Sequence, residues 1–148
     1  MEEVILTIAY VLTMIMVPYL DISSLKNAVK QLREGIDIAE SDQGKEIVRD
    51  GVIQRFEYCY ELAQKMIKRT LETQFDEKVD VMAWNDVLRS AAERGLISNV
   101  EQWFEYRTER NKTSHTYDAS VAALVYMSAK KFLPDVQFLL STLEKFSR

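Results

Sequence analysis

One histidine and one cysteine stand in a chain of 148 residues, and that scarcity excludes more than any other property of the sequence. Structural zinc sites draw four ligands mainly from those two residue types, so a single chain cannot assemble one and no metal is expected. Cys59 has no intrachain partner for a disulfide and lies inside a helical pattern, so it reads as a core residue in a cytoplasmic protein rather than as a nucleophile. Only 4 glycines and 2 prolines punctuate the chain, and alternation of apolar and polar residues is rare. Long segments instead repeat apolar residues at intervals of three and four, the mark of an all-helical protein. The formal net charge of -4 excludes broad electrostatic capture of nucleic acid, which depends on neutralising many phosphates, so any RNA contact must be local. With 47% hydrophobic residues for a core, and neither internal repeat nor low-complexity linker, one domain is expected over residues 20–148.

Residues 1–19 form an apolar extension. From Val4 to Leu20 no residue is charged, a run of 17 that touches the short end of what spans a bilayer. Glu2 and Glu3 are wrong for the basic start of a signal peptide, and the run is interrupted at Pro18. The expectation is therefore either a start assigned too early, with Met14 or Met16 as the true first residue, or a hydrophobic helix packed on the bundle or on a second subunit. A membrane anchor is the disfavoured alternative.

Beyond Asp21 the periodicity predicts a helix capped by Ser23 or Ser24, carrying Leu25, Ala28, Val29, Leu32 and Ile36 on one stripe and ended by Gly35 and the polar run Ser41 to Gly44. The second and longest helix is expected from about Lys45 to Thr73, with Val52, Phe56, Tyr60, Ala63, Ile67 and Leu71 on a wide apolar face. Its other side carries Asp50, Gln54, Glu57 and Glu61 at spacings of four, three and four. Such a stripe reads first as a solvated face, with Glu61 paired to Lys65. The sharper alternative is that Asp50, Gln54 or Glu57 lines a functional site. A short third helix through Trp84, Val87, Leu88 and Ala91 stops at Gly95. Ser98 and Glu101 form a capping box for a fourth, which buries Trp103 and Phe104 and runs to Arg110. Trp103 and Phe104 read as core rather than as a stacking platform for bases. The last stretch carries Val121, Leu124 and Val125, is reset or kinked at Pro134, and continues through Val136, Leu139, Leu140, Leu143 and Phe146. The fold expected is an antiparallel up-and-down four-helix bundle with one additional short helix.

Between the last two helices the chain reads RNKTSHTY, from Arg110 to Tyr117, and holds the single histidine. Positions five apart lie roughly 140° apart around a helix, so Arg110 and His115 cannot share a face without a break between them. Asn111, Thr113, Ser114 and Thr116 favour such a break, because their short polar side chains compete for backbone hydrogen bonds. The next helix is then entered at Thr116 or Asp118, with His115 near an N-terminus whose amides and dipole favour an anion. An arginine fork, an imidazole and helix-end amides would converge as a phosphate-handling group.

The same string, RNKTSHTYD, has the R-x4-H-x-Y form of the HEPN domains. The stretches RDGVIQRFEYCYELAQKMIKRTLE (Arg49 to Glu72), AAERGLI (Ala91 to Ile97) and FLP (Phe132 to Pro134) resemble the HEPN subgroup called nucleotidyltransferase substrate-binding proteins. The similarity extends from about Leu20 to Phe146. It implies a small helical bundle, commonly a homodimer, encoded beside a minimal nucleotidyltransferase in a prokaryotic two-gene toxin-antitoxin module, where the HEPN member is in many cases a metal-independent ribonuclease. On matching positions Arg110 and His115 would be the catalytic pair. Asn111 would be the polar residue that often follows the arginine, and Tyr117 the hydroxyl that the transferase modifies with AMP; Ser114, and Asp50 and Glu57 of the second helix, are supporting candidates on the residue pattern and not on the resemblance. No cofactor is implied, and RNA or a nucleotide is the ligand expected. The subgroup's name keeps a second reading open, that of a non-catalytic subunit holding a nucleotide or substrate for the transferase.

Metal-free RNA cleavage needs a base for the 2′-OH proton, an acid for the leaving 5′ oxygen and a cation for the phosphorane. One histidine cannot be base and acid at once. A two-fold dimer placing two copies of Arg110 and His115 across one groove would supply both. The alternatives are a structural His115 bonding a nearby backbone group at a helix entry, and a half-buried Tyr117 anchoring that helix.

Overall fold

The computed structural model of the protein describes residues 1–16, 19–41 and 45–147, with no strand among them. Its helices are α1 (Glu2–Met16), α2 (Ser23–Ser41), α3 (Glu46–Phe75), α4 (Trp84–Glu93), α5 (Val100–Asn111) and α6 (Ala119–Leu143). Helices α2, α3, α5 and α6 form the bundle, and α4 is the additional short helix, packed against α3 and α5. The architecture is the all-α one expected.

Burial follows the apolar stripes. Leu25, Ala28, Val29, Leu32 and Ile36 of α2 face Val52, Phe56, Tyr60, Ala63 and Ile67 of α3, and α6 closes the core with Val125, Ala129, Phe132, Val136 and Leu139. Phe132 is its aromatic centre. Its ring meets Tyr106 at 5.1 Å, Phe56 at 5.3 Å and Trp103 at 5.4 Å between centroids, all near edge-to-face, with Tyr60 at 6.0 Å. That geometry brings the positive edge of one ring to the negative face of another. The indole of Trp84 donates to the Tyr60 hydroxyl at 3.1 Å, which satisfies a polar atom inside this core.

Several local expectations are corrected. α2 does not stop at Gly35 but passes through it to Ser41. A Cβ on Gly35 would meet Arg55 Cδ at 3.1 Å, so the glycine admits a close neighbour from α3 rather than ending a helix; residues 42–44 of the expected terminator lie outside the described residues. The first turn of α2 is capped by the Asp21 carboxylate, which accepts from the Ser23 amide at 3.0 Å and hydroxyl at 2.7 Å. α5 is capped by Asn99, whose Oδ1 accepts from the Gln102 amide, and not by Ser98. Gly95 does take the left-handed conformation expected after α4, with φ 77°. α6 runs unbroken through Pro134. A proline inside a helix costs about 3 kcal/mol, but Val125, Ala129, Phe132, Val136 and Leu139 are fully buried on both sides of it, and that continuous apolar stripe holds the helix together.

The apolar extension forms α1, and its side chains from Met1 to Leu12 are all exposed, so packing on its own bundle is not what the structure shows. No helix among the described residues is long and apolar enough to cross a membrane.

Candidate active site

The break required between Arg110 and His115 is present. α5 ends at Asn111, Lys112 caps it, and Thr113–His115 form a single 3-10 turn before α6 begins at Ala119. The turn is knitted by its own polar groups. Thr113 Oγ1 donates to the Arg110 carbonyl at 2.9 Å, the His115 amide to the Lys112 carbonyl at 2.9 Å, and Thr116 Oγ1 to the Thr113 carbonyl at 3.1 Å. These are the short side chains that compete with helical hydrogen bonds, acting as their chemistry predicts. The turn packs against α3, α5 and α6, which ties the motif to the core helices.

Arg110 points back across the bundle to α3. Its Nη2 donates to Glu61 Oε1 and lies 3.4 Å from Glu57 Oε1. The arginine side chain is 25% exposed and the two glutamates 40% and 48%, so the cluster is half-sheltered rather than buried. The acidic stripe is therefore not simply a solvated face, and Glu61 turns to Arg110 instead of serving only as an expected partner for Lys65. Glu57 was open to recognition from the sequence as a site-lining candidate; Glu61 was not, although its place one turn beyond Glu57 on the same face was the available signal. Asp50 and Gln54 are exposed. Asp50 lies two turns before Glu57, about 10 Å along the axis, so the structure does not bring it to Arg110.

His115, Asn111 and Ser114 are exposed, and Tyr117 is 87% exposed, so Tyr117 is not a half-buried anchor. The rings of His115 and Tyr117 meet edge-on at 6.1 Å between centroids. Lys112 pairs with Glu109 at 2.9 Å. The expectation that α6 offers unoccupied amides to an anion is corrected. Asp118 Oδ1 already accepts from the Ser120 and Val121 amides, at 2.9 and 3.4 Å, and from the Ser120 hydroxyl at 2.6 Å. The Ser120 hydroxyl and amide hold the Asp118 carboxyl below its ordinary value. A negative side chain thus takes the place at the helix start where a phosphate would dock.

Two groups near the site are chemically quiet. Burial pushes the Cys59 thiol up to about 12, which removes the thiolate needed for nucleophilic work. Burial also pushes the Tyr60 hydroxyl up to about 12, against the opposing pull of the Trp84 hydrogen bond and the charges of Arg107 and Arg110. Among the described residues no group of histidine, cysteine, aspartate and glutamate is arranged to hold a metal ion. What the arrangement offers is an arginine held by two carboxylates, an accessible imidazole and an accessible phenol at one end of the bundle.

Known proteins match the chain over most of its length. A probable ribonuclease HepT of Haemophilus influenzae is 42% identical over 110 residues, covering 70% of this chain and 75% of that protein. A solved Haemophilus influenzae structure, described as revealing the fold of a substrate binding domain of a nucleotidyltransferase, superposes with a TM-score of 0.76 at 35% identity, over 84% of this chain and 99% of the other. A crystal structure from Thermus thermophilus superposes at 0.64 with 26% identity, over 78% and 98%. Residues 20–145 match the family described as nucleotidyltransferase substrate binding protein like. The chain belongs to that HEPN-like family of nucleotidyltransferase substrate-binding proteins.

Proposed function

We propose that this protein is the HEPN member of a two-gene toxin-antitoxin module, a metal-independent endoribonuclease that acts as a homodimer and is neutralised by a partner nucleotidyltransferase. The observation that carries the reading is the 3-10 turn at Thr113–His115, which lets Arg110 and an exposed His115 serve one end of the bundle from different helical faces. The similarity to a probable ribonuclease supports the same chemistry.

In the proposed reaction the 2′ oxygen of RNA attacks the adjacent phosphorus while one copy's His115 takes its proton. The bond from phosphorus to the 5′ oxygen breaks, the second copy's His115 protonates that oxygen, and a 2′,3′-cyclic phosphate remains. Arg110 neutralises the phosphorane as charge builds on it. Asn111 and Ser114, both exposed beside the pair, would contact the RNA backbone. The test is incubation of the purified protein with total RNA in EDTA, wild type against His115→Ala. Fragments ending in cyclic phosphate, absent with the variant, are expected; intact RNA from a folded, dimeric, unmodified wild type overturns the proposal.

Neutralisation is assigned to Tyr117. Its hydroxyl would attack the α-phosphorus of ATP on the transferase and release pyrophosphate, leaving AMP beside His115, where its bulk and charge repel RNA. Incubation with the transferase and ATP should add mass in multiples of one AMP, and a gain that persists in Tyr117→Phe counts against the assignment.

The second reading, a non-catalytic subunit that holds substrate for the transferase, is favoured by the description of the Haemophilus influenzae structure. Growth arrest on expression without the transferase, relieved by His115→Ala, separates the first reading from this one.

A further inference from the structure

Arginine recognises a phosphate through two parallel N–H bonds, and its planar guanidinium has two edges that can form such a fork. One edge pairs Nε with Nη2; the other pairs Nη1 with Nη2. Both use Nη2, which carries one N–H in each. In this protein Nη2 of Arg110 is the atom on which Glu61 and Glu57 converge. Glu61 takes an Nη2 N–H that a fork would use and Glu57 stands in ion-pair contact at 3.4 Å, so a phosphate must compete for that atom, and the formal charge of one arginine and two glutamates is already -1 before it arrives.

The clasp is built on rigid parts. Glu57 and Glu61 are one turn apart in the middle of the 30-residue α3, and Phe56 and Tyr60, their neighbours in sequence, are buried in the aromatic core. Arg110 stands in the last turn of α5, whose Trp103 and Tyr106 enter the same core. The distance between the arginine and its carboxylates is thus set by helix packing rather than by loop position.

We propose that Glu61, backed by Glu57, is the positioning residue of Arg110 and the competitor that a phosphodiester must displace from Nη2. The clasp aims the guanidinium along α3 in the resting protein and raises the threshold for anion binding, so that solitary phosphates gain little and only a ligand with further contacts opens the fork. The inference rests on Arg110 being the phosphate contact of the proposed function, but not on cleavage following.

The test uses the purified full chain and a fluorescent 2′-O-methyl oligoribonucleotide, which lacks the attacking hydroxyl and so reports binding alone. Replacing one half-exposed ion-pair partner is worth up to about 1 kcal/mol, so Glu61→Gln should bind about fivefold more tightly than wild type. Arg110→Ala should lose most of the affinity, and adding Glu61→Gln to Arg110→Ala should change nothing further. Equal or weaker binding by Glu61→Gln overturns the proposal, as does a gain of the same size in the Arg110→Ala background, which would be a general charge effect. Absence of binding by wild type and Glu61→Gln alike overturns it too. With cleavable RNA, Glu61→Gln should lower KM, because no carboxylate then has to be displaced from Nη2 before the phosphodiester binds. Tighter binding through Arg110 without cleavage by wild type would leave the clasp standing and remove the ribonuclease reading.

Discussion

The two ends of α5 follow different rules. Within its first two turns Trp103 and Tyr106 are buried against Phe132 and fixed by the shape of neighbouring rings. The Tyr106 hydroxyl is fixed as well, donating to the Asp135 carboxylate with the Lys131 carbonyl 3.0 Å away. From its last residue onward, Asn111, Ser114, His115 and Tyr117 are exposed, and what places Arg110 is charge on a different helix. One helix therefore delivers both rigidity and chemistry. The aromatic half fixes where the axis of α5 runs, and the polar half uses that fixed axis to present groups that packing alone would not hold.

Deleting the centre of the packed half should produce the largest effect. Phe132 is fully buried among four aromatic rings, so Phe132→Ala removes a large side chain and leaves a cavity the helices cannot close, at a cost of about 3–5 kcal/mol. Denaturant unfolding followed by circular dichroism measures it. His115→Ala is the counterpart at the exposed end. It should leave the unfolding free energy within about 0.5 kcal/mol of wild type, as exposed substitutions do, while abolishing the proposed cleavage. A His115→Ala protein that unfolds several kcal/mol more easily would erase the contrast between the two halves, because His115 would then be part of the scaffold.

The same contrast explains what was legible in the sequence. α3 was expected from about Lys45 to Thr73 and runs Glu46–Phe75, because its apolar face repeats without interruption and burial follows periodicity. The helix break before His115 was legible too, since Thr113 and Thr116 act on backbone only three residues away. The reset or kink expected at Pro134 does not occur, since the local rule against proline omits the buried stripe on either side of it. Asn99 displaced Ser98 as a cap, a choice between adjacent residues that both suit the role. The pairing of Glu61 with Lys65 is legible because i,i+4 pairs can be counted along one helix, whereas Arg110 lies 49 residues away and reaches Glu61 only once α3 and α5 are packed. The occupied amides of α6 were missed for a related reason: Asp118 was legible as a cap, but a cap and an anion site need the same N–H groups, and the aspartate takes them first.

That competition supplies the smallest effect and a pH signature. The hydrogen bonds from Ser120 and Val121 hold the Asp118 carboxyl below its ordinary value in the folded protein, while in the unfolded chain it returns to that value. The unfolded state therefore binds the proton more readily. The cap's contribution is complete above the ordinary carboxylate range and is lost as pH falls through the lowered folded value. Asp118→Ala should melt below wild type at pH 7, and the gap between the two melting temperatures should narrow as the buffer is taken down into the acidic range where Asp118 is protonated in both states. A gap of constant size across that range would mean that Asp118 stabilises α6 without its charge. The same variant uncovers the α6 amides, so if the exposed end of the molecule is organised around anions, phosphate should raise the melting temperature of Asp118→Ala more than it raises that of wild type.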